Sequence, residues 1–183
     1  MKMNKMFDAL HKQVQKIMKT GKKPEEKLQE ICKLLRERVD YYDWVGFYLV
    51  NPKKERELIL GPFMGDPTEH VCIQFGVGIC GQSAETKKTF IVQDVGKVTN
   101  YLSCSPAVKS EIVVPIMKGK DFVGELDIDS HVVSPFKKDD EEFLNAVCKE
   151  VSTLFSVSLP IDVAKKGEWT WTDWEVEGEK PNK

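Results

Sequence analysis

Apolar positions recur at helical spacing in the first segments of the chain and at strand spacing through most of the remainder. From Met6 to Met18, the residues Met6, Leu10, Val14, Ile17 and Met18 fall on one helical face. Thr20-Gly21 ends that segment. Pro24, with Glu25 and Glu26 behind it, suits the first turn of a second helix. Its stripe is Leu28, Ile31, Cys32, Leu35 and Val39, which makes Cys32 a packing residue. The period then changes. Trp44-Val45-Gly46-Phe47-Tyr48-Leu49-Val50 is aromatic and β-branched, so it reads as a strand. After the turn Asn51-Pro52-Lys53-Lys54, its partner is Glu57-Leu58-Ile59-Leu60, closed by Gly61-Pro62. Short strands come next, near Val71-Cys72-Ile73 and Phe90-Ile91-Val92. Between them, a glycine-rich turn, residues 76–81, opens a short helix from Gln82 to Thr86. Ile112–Ile116 and Phe122–Asp129 form a hairpin around Lys118-Gly119-Lys120. A last helix, Lys138 to Phe155, carries Phe143, Leu144, Val147, Val151, Leu154 and Phe155, with Cys148 beside that face.

This order of elements predicts an α+β domain. Its core is a central antiparallel sheet, with the N- and C-terminal helices on one face and connecting loops over the other. Residues 1–160 read as one domain, of which 1–20 are an amphipathic N-terminal helix. Residues 161–183 form a tail in which Trp169, Trp171 and Trp174 are interleaved with polar residues. The tail suits packing on its own domain, on a second subunit or on a partner.

Composition narrows the function. The 183 residues hold 27 Lys plus Arg against 29 Asp plus Glu, a net charge of −2, so nothing favours an electrostatic grip on nucleic acid. No apolar run reaches the roughly 18 residues of a membrane span. The basic N-terminus lacks the apolar stretch of a secretory signal. With five cysteines and no export signal, a cytoplasmic, reducing setting is expected, in which disulfides are transient. There is no Cys-x-x-Cys, and His11, His70 and His131 are scattered, so neither a metal site nor a bound cofactor is expected.

The candidate chemistry centres on thiols and carboxylates. Cys104 lies in Ser103-Cys104-Ser105-Pro106. Ser105 suits an N-cap and Pro106 the first helical position, which would put the thiol just outside a helix N-terminus and favour the thiolate. Cys80 ends the turn Gly76-Val77-Gly78-Ile79-Cys80-Gly81. That turn is not a dinucleotide fingerprint, because the third glycine is misplaced and no βαβ unit surrounds it. It reads equally as a tight turn with a small buried thiol. Asp127 and Asp129 alternate with Leu126 and Ile128, and Glu111 enters the neighbouring strand. These carboxylates are either a solvated outer face or a cluster whose members raise one another's pKa and can donate a proton near neutrality. Trp44, Gly46 and Tyr48 share a strand face, an aromatic wall that suits a small ligand or an ordinary core.

Taken together, these segments resemble the free methionine-(R)-sulfoxide reductases, a catalytic branch of the GAF-domain family. The matching pieces are Trp44–Tyr48, Leu60–Gly65, Phe75–Gly81, Asp94-Val95, Cys104, Ser110–Pro115 and Gly124–Ser130, within roughly residues 25–155. The resemblance implies a GAF-like fold and reduction of free methionine sulfoxide. In it, Cys104 attacks the sulfoxide sulfur. Glu111, Asp127 and Asp129 hold and protonate the oxygen and help fix the ammonium group, and Trp44 and Tyr48 surround the S-methyl group. Cys104 is left as a sulfenic acid, a second thiol condenses with it, and thioredoxin, recharged from NADPH, reduces the disulfide. The resemblance is also compatible with a homodimer.

The chain departs from the family pattern in three places. The family carries another cysteine about ten residues before the one matching Cys80. Here His70 stands near that position and Cys72 lies two residues on, on the same strand face, so Cys80 and Cys72 both stand as resolving thiols. Ser105 replaces an acid after the nucleophile, and Tyr101 stands near a family histidine. The competing reading is a non-catalytic GAF module that senses a small molecule in the same pocket.

Overall fold

The Asn4 side chain accepts a hydrogen bond from the Met6 amide at 3.0 Å and caps α1 (Lys5–Met18). The computed structural model describes residues 4–102 and 105–155. Cys104 and the tryptophan-bearing tail, 161–183, lie outside the described residues. Phe7, Leu10 and Val14 form the buried face of α1. Met6, expected on that face, is 41% exposed. Phe7 takes the inward position and stacks on Phe143, ring centroids 4.6 Å apart. In α2 (Pro24–Arg38), Glu26 reaches back to the Lys23 amide at 2.8 Å. In α4 (Lys138–Val151), Asp140 does the same for the Lys137 amide, also at 2.8 Å. Among the described residues, no helix is long and apolar enough to cross a membrane.

Six strands form one antiparallel sheet: β1 (Trp44–Val50), β2 (Glu57–Met64), β3 (Cys72–Gln74), β4 (Phe90–Val92), β5 (Ser110–Lys118) and β6 (Asp121–Ser130). Their order is β3-β2-β1-β6-β5-β4. The strands run longer than their apolar cores. Most notably, β2 continues through Gly61-Pro62, which reads as a turn from sequence. The pairs Gly46–Phe63 and Tyr48–Leu60 leave Gly61 and Pro62 together opposite Phe47. This is a β-bulge, one of the few places where a sheet accepts a proline. The freed Pro62 carbonyl receives the Cys32 thiol at 3.3 Å. Gly119, at φ 64°, is the first of two residues that close the β5–β6 hairpin.

Alternation sorts the sheet into two faces. Val45, Phe47, Leu49, Ile112, Val114, Ile116, Leu126 and Ile128 pack beneath α1, α2 and α4 in the main core, which also holds Cys32 and Cys148. Trp44, Tyr48 and Val113 point the other way, into a second cluster with Ile79, Cys80 and Ala84 of α3 (Gly78–Thr86). The helices therefore cover one face, and α3 with the connecting segments covers the other, as the order of elements predicts.

Candidate active site

The register of the three central strands builds the site. On the face opposite the long helices, β1 and β6 pair Trp44 with Asp129, Gly46 with Asp127 and Tyr48 with Glu125. On the other side of β6, Glu111 pairs with Asp129, Val113 with Asp127 and Pro115 with Glu125. Two aromatic rings thus border a row of carboxyls, with the gap at Gly46 between them. The Trp44 indole lies over that gap. An added Cβ on Gly46 would come within 2.2 Å of Cη2, and one on Gly65 within 2.4 Å of Cδ1. Gly65 also takes φ 141°, so two glycines make the space the indole fills. Trp44 stacks on Phe63 at 5.5 Å and on Tyr48 at 6.3 Å, and its Nε1 donates to the Asp66 carbonyl at 3.0 Å. The Tyr48 hydroxyl donates to the His70 carbonyl at 2.8 Å.

Glu111, Glu125, Asp127 and Asp129 are all buried, with at most 4% of their surface exposed. The solvated outer face allowed by sequence is therefore not what forms. Among the described residues no close hydrogen bond reaches either oxygen of Glu125, Asp127 or Asp129. Their charge is eased only weakly, by the Cys80 thiol at Asp127 and by Cys80 and Ser83 at Glu125. Among the same residues no lysine, arginine or histidine forms an ion pair with any of the four. Burial pushes all four carboxyls up. Asp127 rises to about 7. Glu111 rises well above the usual carboxylate range, first through burial and then through the charges of Asp127, Asp129 and Glu125. Burial and then Asp127 raise Glu125, and Asp129 responds to burial, Asp127 and Asp43 in that order. The cluster is thus stocked with protons near neutral pH. Glu125 is a site residue that the sequence reading misses. The signal is present, since Glu125 precedes Asp127 by two positions on the same strand face.

Cys80 is buried, and its Sγ donates to Glu111 Oε1 at 3.8 Å. One oxygen each of Glu111 and Asp127 and the Cys80 sulfur all lie within 4.8 Å of one another. Cys80 sits on the first turn of α3, which begins at Gly78, four residues before the expected start. Cys72 is exposed on the edge strand β3, opposite Ile59. The structure therefore joins Cys80 to the carboxyls and places Cys72 at the sheet edge.

Cys104 itself is not among the described residues, but its flanks are. Asn100 bridges to α3: its Oδ1 accepts from the Gly78 amide at 3.3 Å, and its Nδ2 donates to the Gly76 carbonyl at 3.1 Å. A Cβ on Gly78 would meet Leu102 Cβ at 2.8 Å, so these segments touch. After Ser105 the chain makes a turn, with the Ala107 amide on Ser105 Oγ at 3.3 Å and the Val108 amide on its carbonyl at 3.2 Å. The helix expected to start at Pro106 does not form. Lys109 already donates to the Ser130 carbonyl at 2.8 Å and leads into β5, which leaves no length for a helix. The helix start read from Ser105-Pro106 is therefore absent, and with it the dipole expected from that helix. A cavity of about 20 Å³ opens beside this turn, lined in part by Asp43, Trp44, Thr68, Ser105, Asp129 and His131. It holds about one water.

The GAF domain family matches residues 23–154. A GAF domain-containing protein A of Dictyostelium discoideum is 40% identical over 122 residues, 67% of this chain and 75% of that protein. The free methionine-R-sulfoxide reductase of Saccharomyces cerevisiae is 44% identical over 112 residues, 60% of this chain and 61% of that protein. The free methionine-R-sulfoxide reductase of Neisseria meningitidis, solved in complex with its substrate, superposes with a TM-score of 0.77 at 30% identity, over 85% of this chain and 92% of that one. The GAF match spans the strands and the helix that carry the carboxyls and Cys80, and the chain belongs to the GAF domain family, on the branch of the free methionine-R-sulfoxide reductases.

Proposed function

We propose that the protein reduces free methionine-(R)-sulfoxide, with Cys104 as nucleophile. The observation that carries this reading is the buried carboxyl row beside the Trp44–Tyr48 wall and the Cys80 thiol. Reduction of a sulfoxide needs a thiol to take the oxygen and acids to protonate that oxygen as the S–O bond breaks. Glu111, Asp127 and Asp129 are retained by burial in the protonated or proton-sharing state that this step uses. Among the described residues no cation pairs with them, so a carboxyl that gives up its proton also suits the substrate's ammonium group.

In the first step the Cys104 sulfur attacks the sulfoxide sulfur. The S–O bond breaks, the oxygen passes to Cys104 as a sulfenic acid, and methionine leaves with its thioether restored. In the second step a resolving thiol attacks the sulfenic sulfur. A disulfide forms, and the oxygen leaves as water with the thiol's proton. Cys80 is the resolving thiol in this reading. Leu102, two residues before Cys104 in sequence, packs against Gly78, two residues before Cys80, which supports this choice. Cys72 is the other candidate. A dithiol protein of the thioredoxin type, recharged from NADPH, then takes up the oxidising equivalents.

The test is coupled NADPH oxidation in the presence of thioredoxin and its reductase. The substrates are free methionine-R-sulfoxide, its S epimer and a peptide-bound sulfoxide. Turnover confined to the first is expected, together with its loss in Cys104→Ser. Full activity in Cys104→Ser overturns the assignment. Tight binding of the free sulfoxide without turnover favours the non-catalytic sensor instead. Mass spectrometry of peptides after one turnover identifies the thiol joined to Cys104.

A further inference from the structure

The sequence offers no metal motif, but the fold gathers a donor set from three separate segments. Cys80 comes from α3, Glu111 from β5 and Asp127 from β6. All three residues are at least 95% buried, with exposures of 5%, 4% and 0%. One donor atom of each lies within 4.8 Å of the others, and the Cys80 Sγ to Glu111 Oε1 distance is 3.8 Å. With zinc–sulfur and zinc–oxygen bonds of about 2.3 and 2.1 Å, tetrahedral geometry separates neighbouring donors by roughly 3.4–3.6 Å. The donors therefore have to draw together to close on an ion.

Two further observations point to a cation. Both Asp127 oxygens are fully buried and receive no close hydrogen bond, the Cys80 thiol and the Ile128 backbone easing their charge only weakly, so they carry a desolvation cost that a bound ion would offset. No lysine, arginine or histidine among the described residues forms an ion pair with Glu111, Glu125, Asp127 or Asp129. Among the described residues, the sheet thus holds a row of carboxyls without a positive partner.

We propose that Cys80, Glu111 and Asp127 form a binding site for a thiophilic divalent cation, Zn²⁺ or Cd²⁺. A thiolate among the donors excludes Mg²⁺ and Ca²⁺, which take oxygen ligands. Among the described residues three protein donors come together, one short of a tetrahedral zinc set. Glu125 and Asp129 flank the ligands on the same strand face. On the reading of function given above, a cation held by Cys80 removes that thiol from disulfide formation, so the site is inhibitory. The binding site itself does not depend on that reading.

Cd²⁺ titration of the reduced full-length protein tests this without any substrate, through the ultraviolet cadmium–thiolate charge-transfer band. One equivalent should bind and be displaced by Zn²⁺ but not by excess Mg²⁺. Cys80→Ser should abolish the band, whereas Cys72→Ala should keep it. Glu111→Gln and Asp127→Asn should each bind at least about tenfold more weakly with unchanged circular dichroism, since outer-shell partners alone are worth that much. A wild-type band in Cys80→Ser, a lost band in Cys72→Ala, or wild-type affinity in both carboxyl variants overturns the proposal.

Discussion

Gly46 lies so closely beneath the Trp44 indole that a Cβ on it would stand 2.2 Å from the ring. The same Cβ would meet Phe63 Cβ at 2.9 Å, so the ring cannot simply slide toward β2. Gly46→Ala is expected to destabilise the protein by about 1–3 kcal/mol, as overpacking does in a close-packed core. It should also raise KM for the free sulfoxide more than it lowers kcat, because the wall moves while the thiols stay. Urea unfolding and steady-state kinetics check both. Unchanged stability would show that the indole has another low-energy rotamer.

Asp127 sets a pH dependence whose sign is fixed by its direction of shift. Its folded pKa, about 7, stands above the usual carboxylate value of 3.8. The folded state therefore holds the proton where the unfolded state has lost it. Stability contributed by this group is full below pH ~4 and is lost as pH rises toward 7. Asp127→Asn removes this loss. The variant should be more stable than wild type at pH 8, on the order of a few kcal/mol at most, and closer to wild type at pH 4. Its reductase activity should fall at least about a hundredfold, the scale of a lost general acid. Thermal melts across pH, paired with the coupled assay, test the opposition of stability and activity.

Asp140 ties α4 to the start of the sheet. It accepts hydrogen bonds from the Tyr41 hydroxyl at 2.7 Å, the Tyr42 hydroxyl at 2.9 Å and the Lys137 amide at 2.8 Å. Both tyrosines are held above their usual pKa, by burial first and then by the adjacent carboxylate. Asp140→Ala leaves three donors without an acceptor and should cost about 2–4 kcal/mol. Asp140→Asn keeps an acceptor oxygen and should recover part of it. Urea midpoints separate the two variants.

The cysteines divide by environment. Cys32 and Cys148 are buried in the main core and donate to the Pro62 and Val114 carbonyls at 3.3 and 3.6 Å. Burial pushes both thiols far up, which makes them inert. Cys32→Ala and Cys148→Ala should lose about 1–2 kcal/mol each through lost packing and keep kcat/KM within about twofold. A large activity loss at unchanged stability would place one of them in the redox cycle.

Much of the fold could be read from periodicity. Strand alternation already put Trp44, Gly46 and Tyr48 on one face and separated Asp127 and Asp129 from Leu126 and Ile128. Helical spacing identified Cys32 and Cys148 as packing residues. Glycine and proline misled where a tertiary feature reversed their usual meaning. Pro62 signals a turn by itself, yet the bulge opposite Phe47 carries it inside β2. Ser105-Pro106 signals a helix start, yet the chain enters β5 before a helix can form.

The sequence by itself determined which side chains share a strand or helix face, because that depends only on local backbone geometry with periods of 2 and 3.6. It also supplied the ordered motifs that mark the family. Only the tertiary structure decided that those faces meet. Strand register set Trp44 against Asp129 and Glu111 against Asp129, and it brought Glu125 into the row. The packing of α3 over the sheet then brought Cys80 to Glu111. Burial came with that assembly, and burial turned ordinary acids into proton carriers near neutral pH. The desolvation of a carboxylate depends on what covers it, and that cover comes from residues far away in the chain.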